Sequence, residues 1–106
     1  MANNFDEKSL TISNNSLTDI YTASNKSMVV TGTIANKHTA SLNVTLKKYD
    51  NSGTATFIKF KDVPIPTGSA LSLPKIVLNT SDKIQVQSSH ASGNIDVSLE
   101  LLTDVS

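Results

Sequence analysis

The stretch from Asp62 to Val86, DVPIPTGSALSLPKIVLNTSDKIQV, restricts what this chain can fold into more than any other part of it. Pro64 and Pro66 bracket Ile65. Each ring fixes its own φ and removes a backbone donor, so the segment must be a sheet edge or a connector. Thr67-Gly68-Ser69 then turns the chain, Gly68 supplying a backbone freedom that other residues resist. Leu71 and Leu73 alternate with Ala70 and Ser72, Pro74 interrupts, and Ile76-Val77-Leu78 makes a short apolar run. Asn79 to Lys83 is a second turn, in which Asn79 and Asp82 can bond their own backbone, with Asp82 capping its own loop. Ile84 and Val86 restart a strand.

The flanking sequence has the same grammar. Leu10 and Ile12 begin an alternation that Asn14-Asn15 ends, and Leu17, Ile20 and Tyr21 make a second short run. In the clearest strand, Met28, Val30, Gly32 and Ile34 share one face and Val29, Thr31, Thr33 and Ala35 the other. Gly32 there marks a bulge or a close backbone approach. Asn36 to Ala40 is a polar turn. Leu42, Val44 and Leu46 alternate with Asn43, Thr45 and Lys47, as a strand with one wet face should. Asp50 to Gly53 is a hairpin-type loop. Its partner strand carries Phe57, Ile58 and Phe60, which leaves the inward phase open: Phe57 on one side, or Ile58 and Phe60 on the other. After a turn at Ser92-Gly93-Asn94, Ile95, Val97, Leu99 and Leu101 face in, while Asp96, Ser98 and Glu100 face out.

No window of helix length has 3.6-residue apolar spacing. About eight short strands at roughly ten-residue spacing predict an all-β, antiparallel sandwich of jelly-roll or immunoglobulin-like kind. The chain divides into a polar arm, residues 1–9, and a single domain, residues 10–106. Within and beside the arm, Phe5, Leu10 and Ile12 are apolar residues that can serve a subunit interface: a neighbour's sheet edge pairs with this segment, or a neighbour's pocket takes Phe5. Equally, Leu10 and Ile12 can form the domain's own first strand while the residues before them fray.

Composition excludes several chemistries. The 106 residues contain no cysteine, which removes disulfides, thiolate zinc sites and a cysteine nucleophile together. Basic and acidic residues number 9 each, and every cation is lysine. With no guanidinium and no net charge, nucleic acid is not an expected partner. Charged residues make up only 17% of the chain, and a surface of hydroxyls and amides permits dense packing against other copies. His38 and His90 lie in turns with no adjacent carboxylate, so no metal and no cofactor are expected unless folding pairs them. No glycosidase-like carboxylate pair, serine elbow or phosphate loop stands out, and a non-enzymatic chain is expected. A carbohydrate-binding sandwich usually needs aromatic platforms; here there is no Trp, and Tyr21 or Tyr49 would have to be exposed to serve. No window reaches transmembrane length and no signal pattern opens the chain, so no membrane partner is expected. The Asn-x-Ser/Thr sequons at Asn14, Asn25, Asn43 and Asn79 read as by-products of composition.

Five segments occur in a suggestive order: DIYTAS from Asp19, MVVTGTIAN from Met28, KDVPIPTGSALSL from Lys61, IVLNTSDKIQV from Ile76 and IDVSLELL from Ile95. Together, over Asp19 to Leu102, they resemble small β-sandwich virion proteins of tailed bacteriophages. The resemblance implies a repeated structural component (head decoration, collar or tail-associated). Such a protein is made in the host cytoplasm, located in the virion, and partnered by other virion proteins and by copies of itself. A carbohydrate- or host-surface-binding domain displayed on the particle is the alternative. The chain departs from the pattern at Asn79-Thr80-Ser81, where related chains place an acidic residue and a glycine before the Asp, so its turn lacks the usual glycine.

Overall fold

The computed structural model describes residues 4–90 and 94–104. Nine strands follow one another: β1 (Asn4–Ile12), β2 (Thr18–Thr22), β3 (Ser27–Asn36), β4 (Leu42–Asp50), β5 (Ala55–Ile65), β6 (Ala70–Ser72), β7 (Ile76–Leu78), β8 (Lys83–Ser88) and β9 (Ile95–Thr103). One sheet has the order β1-β9-β3-β6, with β7 also on β3; the other has the order β2-β8-β4-β5. All pairings are antiparallel. Apart from the β4–β5 hairpin and the β6–β7 pair, successive strands cross between sheets. β6 and β7 share one strand position on β3, separated at Pro74, which has no N–H for a ladder. Eight strand positions in this order make a jelly roll, one of the two architectures expected.

The core lies between the sheets. Ile95, Val97, Leu99 and Leu101 are buried, as are Leu42, Val44 and Leu46 in the other sheet; β9 keeps the alternation read from the sequence, and β4 keeps it except at Thr45. β5 is the outer strand of its sheet, as its prolines require: Ile65 is buried opposite Leu42, and Pro64 sits opposite Asn43 on the edge. Gly68 takes a φ of 78°, where an L side chain is strained.

Three local phases differ from the expected ones, each because of a bulge or a side-chain bond. In β3 the register shifts between Val29 and Thr31, so Val29, not Val30, joins Gly32 and Ile34 inside. In β5 the register shifts so that Phe60 lies opposite Leu46 while Ile58 lies opposite Lys47. Phe60 therefore packs against the core, and Phe57 and Ile58 both remain 54% exposed. In β4, Thr45 is buried because its hydroxyl accepts the Asp62 N–H at 3.1 Å, at a bulge where Asp62 takes a φ of 51°. Gly32 is a close approach: a Cβ there would stand 2.6 Å from the Ser98 carbonyl oxygen. Of the expected turn at 92–94, residues 92 and 93 lie outside the described residues.

Candidate functional site

Two buried polar residues tie the loops to the sandwich. Asn36, the last residue of β3, donates its amide to the carbonyls of Ala40 (3.0 Å) and Ile65 (2.9 Å) and accepts the His38 N–H (2.8 Å). Its backbone pairs with Ser69 and Gly68, so one asparagine joins the β3–β4 and β5–β6 connections and the end of β5. Asp82 accepts the Asn79 N–H and the Asn51 N–H, each at 2.9 Å, with the Lys48 ammonium 3.8 Å away. It caps its own turn as expected, and it also holds the tip of the β4–β5 hairpin. Ser81, not a glycine, carries the turn's positive φ of 71°.

β1 completes the first sheet by pairing with β9 along its whole length, from Asn4 opposite Thr103 to Ile12 opposite Ile95. Its inward positions alternate as Ile12, Leu10, Lys8 and Asp6. Only Ile12 is buried, because β2, which neighbours β1 in the facing sheet, is just five residues long. Ile12 is thus spent in the protein's own core, while Leu10 is 36% and Phe5 85% exposed. On the outward face Glu7 stands directly opposite Glu100, a like-charge pair that weakens a ladder. A groove of about 570 Å³ runs here, lined by Phe5, Asp6, Glu7, Val30, Glu100 and Leu101. Three of its six lining residues, Asp6, Glu7 and Glu100, are acidic.

β5, the outer strand of the second sheet, lies on the opposite side of the sandwich from β1. It presents Phe57 and Ile58 beside Lys59 and Lys61, with Lys47 next to it on β4. The ion pairs among the described residues are Lys37–Asp96, Lys48–Asp82 and Lys83–Asp19. The acidic groups of the β1 groove and the lysines of β5 belong to none of these. A chain of zero net charge is therefore polarised, acidic at one sheet edge and basic at the other.

The two histidines, expected to be separate solvated loop residues, are in contact: their ring centroids are 4.4 Å apart with planes tilted by 47°. No group of three or more His, Asp or Glu able to hold a metal occurs among the described residues. Two carboxylates titrate below the usual range. The Gln85 amide bonded to Asp19 is the main cause there, opposed by partial burial and helped by Lys83. The Thr11 hydroxyl is the main cause at Asp96, seconded by Lys37. Both are surface groups held by neighbours. Tyr21 packs against the core, and the Lys83 ammonium lies 5.8 Å from the Tyr49 ring centroid, so the aromatic candidates for a sugar platform are otherwise engaged.

No family model and no curated protein matches the chain. Solved structures do match its fold. A Bacillus endospore appendage subunit, from a family of disulfide-linked pili, superposes with a TM-score of 0.59 at 13% identity, over 100% of this chain and 93% of that one. The capsid of cyanophage Pam1 matches at 0.53 and 11% identity, over 95% and 86%. A pentameric capsid protein from metagenomic phage sequences matches at 0.50 and 16% identity, over 92% of this chain and 62% of that one. At these identities the likeness is one of fold.

Proposed function

We propose that this protein is a non-enzymatic structural subunit of a virus particle, built into its assembly through the open edge of β1. The observation that carries the reading is that β1 exposes Asn4 to Thr11 at a bulge-free, proline-free sheet edge, with Phe5 projecting beside an acidic groove. Asp6 and Lys8 put charge on its inward face, but no proline or bulge interrupts its backbone, which stays available for pairing. The occupant that fits is a second copy, whose β5 edge carries the exposed Phe57 and Ile58 and the lysines Lys59 and Lys61, opposite in sign to Asp6, Glu7 and Glu100 of the groove. Because the two surfaces lie on opposite sides of one molecule, the contact is head-to-tail and repeats around a ring or along a row. Fold likeness to two phage capsid proteins and a pilus subunit is in keeping with a scaffold used in many copies. The resemblance over Asp19 to Leu102 supports the finer assignment to a tailed-phage accessory protein of head, collar or tail. In this reading residues 1–9 act as the clamp, with Phe5 and Leu10 as its apolar contacts. The test is deletion of residues 1–8. The shortened protein loses the Asn4–Lys8 part of the β1 ladder and should melt lower, so it is compared below its melting temperature, where it should be folded by circular dichroism yet fail to assemble, or to bind particles that lack it. Unimpaired incorporation would overturn the clamp.

A further inference from the structure

From the contact of His38 with His90 we infer a surface site for a divalent transition-metal ion, independent of how the protein assembles. The two residues are far apart in sequence, and each backbone is anchored. His38 follows Asn36, whose buried side chain accepts the His38 N–H at 2.8 Å, and the Thr67 hydroxyl donates to the His38 carbonyl. His90 donates its N–H to the Ser88 hydroxyl at 3.3 Å, and Ser88 is buried at the end of β8. The intervening Ser89 is bonded twice to Asn43 at the start of β4: its N–H donates to the Asn43 carbonyl and its hydroxyl accepts the Asn43 N–H, each at 2.9 Å. Both loops are thereby fixed around one end of β4, and the imidazoles meet with centroids 4.4 Å apart.

A neutral imidazole presents one nitrogen lone pair, and nitrogen donors of this kind select zinc, nickel and copper over calcium and magnesium. A tetrahedral ion with bonds of about 2.0–2.1 Å sets two ligating nitrogens roughly 3.3 Å apart. The ring centroids, 4.4 Å apart, place both imidazoles within reach of one ion, and His90 is the more exposed of the pair. No carboxylate completes the site from nearby: Asp96 is engaged by Thr11 at 2.6 Å and by Lys37 at 3.1 Å. Among the described residues the two imidazoles are the ligands, with water at the other positions. That is an exchangeable site, not a structural one, and folding does not depend on it.

Calorimetric titration of the untagged full chain with nickel chloride and with zinc chloride tests this, with calcium chloride as the control. One ion per chain is expected, with no heat from calcium. Because the second imidazole binds within an already tethered complex, His38→Phe and His90→Phe should each weaken binding by roughly tenfold or more. Phenylalanine keeps the ring contact and removes the nitrogens; circular dichroism checks folding, and a Gln variant replaces either one that fails. Zinc should also shift the ring proton resonances of both histidines in the unaltered protein. Binding undiminished in both variants, or no uptake of nickel and zinc at millimolar concentration, would overturn the site.

Discussion

Asp82 shows how much a single buried carboxylate can organise. It is 1% exposed, it accepts two backbone N–H groups from separate segments, and its own carbonyl accepts the Ala23 N–H at 2.9 Å. Asp82→Ala leaves Asn51 and Asn79 without their acceptor and Lys48 without its partner. We expect a loss of about 2–4 kcal/mol in chemical denaturation, the range for orphaning buried donors. A loss under about half a kcal/mol would mean that water replaces the carboxylate. The surface carboxylates behave differently. Asp19 and Asp96 are held below their ordinary range by hydrogen bonds, so their contribution is present above the unfolded value of about 4 and disappears as pH falls through the folded values. The double variant Asp19→Asn/Asp96→Asn should therefore melt below the parent at pH 7, with the gap closing from about pH 4 downward. A gap unchanged in acid would show that shape, not charge, carries the effect. Both groups are substantially exposed, so the difference is small. Of these residue roles, the capping by Asp82 was legible from its place in NTSDK. The reach to Asn51 was not, because it spans thirty-one residues and depends on the hairpin folding back.

At the scale of elements, regular strands were read correctly and interrupted ones were not. β9 alternates without a break, and Leu99, 1% exposed, lies in the middle of the core. Leu99→Ala should cost roughly 2–5 kcal/mol by denaturant unfolding, as cavity-forming changes do. A cost near that of a surface change would contradict the strand phase. In β3 and β5 the alternation fails at bulges. A bulge adds one residue to one strand, and that exchanges the inward and outward sets beyond it. Nothing in VVTG or FIKF says where the extra residue falls, since the bulge is a property of the pair. The polar inward positions of β1, Asp6 and Lys8, make sense only once β2 is seen to end too soon to cover them.

The whole molecule is a flat block, 44 × 27 × 18 Å across its Cα atoms, with its unmatched charges at opposite edges. If copies join β1 to β5, reversing one side should block association and reversing both should restore it. Lys59→Glu/Lys61→Glu is expected to remain monomeric in analytical ultracentrifugation under conditions where the parent associates. An equimolar mixture of that variant with Asp6→Lys/Glu7→Lys should form mixed complexes. Association should also weaken as salt shortens the screening length. If the parent assembles and the lysine variant assembles equally well, the β5 surface is the wrong partner and the structural role stands. A parent that stays monomeric throughout, and is absent from particles, removes the role itself.

By itself the sequence determined that this chain is all-β, that Pro64 and Pro66 place their strand at an edge, that Gly68 turns, and which side of β4 and β9 is buried. These follow from local causes: ring-fixed dihedrals, missing donors and a two-residue side-chain period. Only the tertiary structure decided that His38 touches His90, that Asn36 joins two connections and the end of β5, and that the acidic and basic edges lie on opposite sides. Such facts depend on strands crossing between sheets, which brings together residues whose separation along the chain carries no trace of their contact.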